Sequence, residues 1–159
     1  MGDLREEYLL NLEALGLASL RVQSAYKGDR IEAAAIETHF GLHAVYDLHE
    51  AYFQHQLIRS LREQDDHLEA GGGEVVGALA LARGARTHRL VTVAQPGGFG
   101  DLPYGMGPYG AGWLWAAHTW EAPVFRRRAQ WYDDGVKWRY LHVPLDDAWK
   151  WFLDRVPAA

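Results

Sequence analysis

The sequence predicts an α+β domain, in which an N-terminal antiparallel helix pair packs with a small antiparallel sheet, a Trp-rich β-hairpin, and a short C-terminal helix. Three observations carry that expectation. Residues 3–66 repeat apolar side chains at helical spacing, and residues 71–112 are rich in glycine. The stretch "RRRAQWYDDGVKWRYLHV" at 126–143 alternates about a central Asp-Gly. Helices, then strands, then a helix is the order of that class.

In the first helix Leu4, Tyr8, Asn11, Leu15, Ala18, Val22 and Tyr26 fall on one stripe. Asp3 with Glu6, and Asp29 with Glu32, have the carboxylate-x-x-Glu order of helix starts, where the first side chain caps free N–H groups. "KGD" at 27–29 supplies the turn, and no proline interrupts 29–66. In the middle, "VVGALALARG" suits a short helix and "HRLVTVA" has strand composition. "QPGGFGDLPYGMGPYGAG" carries seven of the chain's 17 glycines and suits neither a helix nor a central strand.

Residues 113–159 hold all seven tryptophans. Asp134-Gly135 suits a two-residue type I′ turn, which sets Trp131 across from Trp138, Ala129 from Tyr140 and Arg127 from His142. The other face would be basic and wet, with Arg126, Arg128, Gln130, Tyr132, Lys137 and Arg139. "LDDAWKWFLDRV" reads as a closing helix capped by Asp146, with Trp149, Phe152, Leu153 and Val156 inward.

At 159 residues a single domain, 1–159, is expected, and the 48% apolar and 23% charged composition is that of a globular chain. No run of about 18 apolar residues marks a membrane span, and "MGDLREEYLL" lacks the basic-then-apolar order of a signal peptide. The cytoplasm is the simplest location. Without cysteine, any metal would need His and carboxylate ligands. The net charge of −5 is uneven: residues 1–70 have 13 acids against six bases, and residues 71–159 have eight against ten. Such an acidic chain is ill suited to general nucleic-acid binding.

Four of the eight histidines lie in "THFGLHAVYDLHEAYFQHQ", residues 38–56. At about 100° per residue, His39, His43, Asp47 and Glu50 share one narrow helical face. Ile36, Leu57 and Leu61 extend that face as apolar positions, so the polar stripe is expected to be partly buried. A histidine pair four apart can present two nitrogens to one cation, which makes His39, His43 and Glu50 candidate ligands for a divalent metal such as zinc, iron or manganese. Otherwise Glu50 would act as a base beside a histidine. No cofactor is expected in the leading reading, in which the stripe forms a hydrogen-bonded seam against the first helix near Asn11.

The second candidate is the Gly/Tyr loop, where Tyr104, Met106, Tyr109, Trp113 and Trp115 would bind another protein or another copy of the chain. No Walker loop and no Gly-x-Ser-x-Gly elbow is present. "REQDDH" at 62–67 resembles the short signature of helical ribonuclease domains of the HEPN type, although the expected sheet has no place in that all-helical fold. The sequence therefore favours a non-catalytic protein-binding or assembly module, with a small enzyme or ligand-binding protein built on His39, His43, Asp47 and Glu50 as the alternative.

Overall fold

A computed structural model describes residues 3–28, 30–84 and 113–159. Within them the chain forms six α-helices: α1 (Leu4–Lys27), α2 (Ile31–Gln56), α3 (Leu61–Ala70), α4 (Glu74–Gly84), α5 (Arg126–Gly135) and α6 (His142–Leu153). The α+β expectation is overturned, because no strand is present among the described residues. The nearest approach to a sheet is a single antiparallel bridge, Leu114 to Tyr140. "HRLVTVA", the Asp29 cap and most of the Gly/Tyr loop lie outside the described residues.

The helix pair forms as its periodicity dictates. Tyr8, Leu15, Ala18 and Val22 are buried along α1, and Asp3 Oδ1 accepts from Arg5 N at 3.1 Å. Ala18 approaches Gly41 while Arg21 reaches Glu37 at 3.8 Å, so α1 and α2 run antiparallel. Gly41 does not break α2. It is a notch, since a Cβ there would stand 3.0 Å from Leu145 of α6 and 3.5 Å from Ala18.

After α2, Leu57 turns left-handed (φ 59°) and Ser60 caps α3 by accepting from Glu63 N at 3.2 Å. "GGG" at 71–73 joins α3 to α4: Gly72 sits at φ 69°, and a Cβ on Gly73 would press within 3 Å of Trp151 and Leu68. The expected short helix is α4, buried from Val76 to Ala82 in the middle of the fold.

The hairpin is where the reading fails. Residues 126–135 are helical because a second period fits them better: Arg128, Trp131, Tyr132 and Gly135 stand at i, i+3, i+4 and i+7. Arg128, Trp131 and Tyr132 are buried together, which alternation forbids for adjacent Trp131 and Tyr132. Arg128 and Tyr132 thus leave the wet face they were expected to occupy. Asp134-Gly135 ends a helix instead of turning a hairpin, and Trp138 lies beyond it at φ 64°. Residues after the helix pair with the upstream segment instead, where Trp115 N donates to Arg139 O and Trp138 N to Trp115 O.

The closing helix α6 starts earlier than expected, so Asp146 is no cap and pairs with Lys150 at 3.4 Å. Phe152 is buried, but Leu153 is exposed. Tyr8 donates its hydroxyl to Phe152 O at 2.6 Å, tying α1 to α6. No helix of the described residues is long and apolar enough to cross a membrane.

Candidate functional site

The histidine stripe lies on an unbroken helix, but it faces away from α1. His39, Asp47 and Glu50 are exposed and His43 is half-buried. Asn11, the expected anchor of the seam, donates to Glu7 O within its own helix. His43 is held from α4 instead: Arg83 Nε donates to His43 Nδ1 at 2.9 Å. That fixes His43 with its hydrogen on Nε2, directed at His39 Nε2 3.1 Å away. In this arrangement the pair offers one shared proton. Desolvation, with Arg83 and His39 adding to it, lowers the His43 pKa. Glu50 does not join this pair but turns to His49. Among the described residues no group of three or more His, Asp or Glu side chains stands close enough to share a metal ion.

The polar residues that do converge are three the sequence reading passed over. His49, Asp65 and Arg128 are each at least 95% buried. Arg128 Nε donates to Asp65 Oδ1 at 2.6 Å, and Arg128 Nη2 lies 3.1 Å from His49 Nε2. A guanidinium can only donate, so His49 Nε2 accepts and its hydrogen is on Nδ1. That hydrogen points to Glu50 Oε1 at 3.2 Å. Burial lowers the His49 pKa and keeps the ring neutral, while the bond from His49 holds the Glu50 carboxyl below its ordinary range. The result is a chain of four groups from three helices: Glu50, His49, Arg128, Asp65. Next to it Arg127 clamps α5 to α3 through Asp66 at 2.7 Å and through Glu69.

Glu50, His49 and Arg128 form one wall of a cavity of about 620 Å³, and Asp65 braces Arg128 without lining it. Tyr46, His49 and Glu50 enter it from α2, and Ala80 and Leu81 of α4 supply an apolar floor. The segment before α5 contributes His118, Trp120 and Phe125. The Trp120 ring is braced edge-on by His118 at 4.3 Å and Tyr132 at 5.6 Å. The mouth is marked by Glu50, Thr119 and Glu121, all exposed.

Among the described sequence candidates, Glu50 alone reaches this cavity; His39, His43, Asp47, Trp113 and Trp115 do not line it. Trp113 and Trp115 are buried in the core, where Trp115 Nε1 donates to Leu141 O at 3.1 Å. Tyr104, Met106 and Tyr109 lie outside the described residues. In "REQDDH" Arg62 is exposed and His67 bonds the Tyr52 hydroxyl at 2.7 Å, so the two point about 140° apart on α3. The signal for the true cluster was present. His49, Asp65 and Arg128 each sit within the apolar stripe of their own helix, beside Val45 and Phe53, Leu61 and Leu68, and Trp131 and Tyr132.

Comparison with protein families, with curated proteins and with solved structures finds no match to this chain.

Proposed function

We propose that this chain is a small-molecule-binding protein whose ligand occupies the cavity between α2, α3, α4, α5 and the 118–125 segment. The observation that carries the reading is a ligand-sized space whose wall includes His49 and Arg128, bonded to each other and anchored on buried Asp65. Ligand sites typically enclose 300–1,000 Å³ of largely apolar surface with a few fixed polar groups. Buried charge pairs contribute little to stability for their desolvation cost. What such a pair does supply here is a rigid polar wall. In addition, Trp120 Nε1 is buried without a hydrogen-bond partner among the described residues, a donor left unspent beside the cavity.

Binding is favoured over catalysis by the protonation states. A general base works best with a pKa near the operating pH. Glu50 is shifted the wrong way for that, and the His49 Nε2 lone pair is taken by Arg128. A thermal-shift screen of drug-sized compounds tests the reading. Hits should raise the melting temperature, and Thr119→Trp, which places an indole at the cavity mouth, should abolish the shift while the unliganded protein melts as before. Hits that bind the Thr119→Trp protein equally well would place the ligand elsewhere.

An assembly or protein-binding role is a second reading, favoured by a different feature. Leu10 (68% exposed), Leu20 (61%), Phe40 (58%) and Ile36 (56%) leave apolar surface uncovered on α1 and α2. Light scattering tests it: self-association should be lost in Leu10→Lys and Phe40→Lys, and a monomer at all concentrations would remove self-assembly.

A further inference from the structure

The charges around the cavity do not cancel. Arg128 is matched by Asp65 at 2.6 Å, and His49 is neutral. Glu50 remains, with its side chain 57% exposed and its pKa lowered, so the carboxylate stays ionised across the physiological range. Glu121 stands at the same mouth, and no lysine is among the described residues lining the cavity. Arg83 lies over the Tyr46 ring, 5.2 Å from its centroid, and keeps its charge while its Nε donates to His43, but it is not among the described residues lining the cavity. Trp120 and Phe125 line the same cavity as these carboxylates, together with Ala80 and Leu81. Carboxylates at the rim and aromatic rings within are the two features that hold organic cations, the first by charge and the second by the negative face of the ring.

Resting on the ligand-binding reading above, we infer that the cavity takes an organic cation, an amine or quaternary ammonium on an apolar body about the size of an aromatic ring. Its charge sits at Glu50 and its body lies against Trp120 and Phe125. An anionic ligand meets the opposite field, because Arg128, the guanidinium among the described lining residues, is already engaged with a carboxylate. The His49 Nδ1–H holds Glu50 in place at the rim, so the acceptor is oriented before the ligand arrives, which lowers the ordering cost of binding.

Three probes of matched size decide the matter: phenethylamine, 2-phenylethanol and 3-phenylpropionate, titrated into the full chain and followed by tryptophan fluorescence and melting temperature. The amine should bind about tenfold or more tightly than the alcohol, the carboxylate weakest, and added salt should narrow the gap. Glu50→Gln should weaken amine binding about tenfold while leaving the alcohol unchanged and the fold intact, since Glu50 is exposed. Carboxylate binding as tight as that of the amine, or an amine affinity unaffected by Glu50→Gln, overturns the cation assignment. In either case, alcohol binding that disappears in Thr119→Trp leaves the cavity reading standing. If none of the three probes binds, both fall.

Discussion

Two histidines six residues apart on α2 have had opposite fates. His43 and His49 point about 120° apart around the helix. Each meets an arginine from another helix, Arg83 of α4 for His43 and Arg128 of α5 for His49. His43 stands at the surface beside exposed His39, whereas His49 is 3% exposed and its arginine is locked to a buried aspartate. At the first site water can replace any partner that is lost. At the second it cannot, so removing one member leaves the others unpaired in a dry interior. A dense run of polar residues therefore marked a surface. Isolated polar residues set in apolar stripes marked the interior cluster, because only a residue with a partner survives there.

The comparison is most easily broken at Arg128. Arg128→Ala should cost about 3–5 kcal/mol in chemical denaturation, the penalty for stranding Asp65 and His49. The double change Arg128→Met with Asp65→Leu should cost clearly less, because it removes both charges together. Equal losses for the two proteins would mean that packing, not charge pairing, holds α5 in place. Gly77→Ala comes next. A Cβ there would stand 2.7 Å from the Trp131 ring, so about 1–3 kcal/mol should be lost by overpacking between α4 and α5. A neutral result would show that Trp131 does not pack on α4 as described.

Acidification separates the two histidines more finely. Both are lowered, so the unfolded chain takes up their protons first as the pH falls below the ordinary value of 6.5. Stability is then fully present above 6.5 and declines below it until the folded residue itself titrates. His142 is lowered as well and adds to the same window, so the wild-type profile alone does not assign the decline. In His49→Gln the decline between pH 6.5 and 5 should be shallower by up to about 1.4 kcal/mol per pH unit, one proton's worth. An unchanged slope would show that His49 is not buried as a neutral ring. The smallest effect belongs to the stripe, where Asp47→Ala should stay within about 0.5 kcal/mol of wild type. A loss of 2 kcal/mol or more would place the stripe in an interface after all.

Much of the helical part could be read from the sequence, and the reason is repetition. Tyr8, Leu15, Ala18 and Val22 recur over several turns, so the period of α1 is unambiguous, and α4 is a short apolar run bounded by glycines. Ten residues of α5 are too few to separate periods of 2 and 3.6 when Ala129 and Trp131 satisfy the first and Trp131 and Tyr132 the second. The Asp-Gly pair then tipped the reading toward a hairpin, although glycine serves equally well at a helix end. The candidate site was lost for a related reason. A period of 2 puts Arg128 on a solvated strand face, and Asp65 stands within an acidic run that reads as surface. Only the packing of α2, α3 and α5 brings His49, Asp65 and Arg128 together from positions 16 and 63 residues apart along the chain.

Gly41 and Tyr8 have a consequence for how the protein is made. The pair α1–α2 is complete once residue 56 has left the ribosome, yet part of its apolar face is reserved for α6. Leu145 fills the notch at Gly41, and Phe152 receives the Tyr8 hydroxyl from 144 residues away. Throughout synthesis of residues 57–141, at about 5–20 residues per second, that face stays uncovered by α6. The nascent hairpin thus spends several seconds with Tyr8 and the Gly41 notch lacking their α6 partners, a window in which chaperones or a neighbouring nascent chain compete with α6.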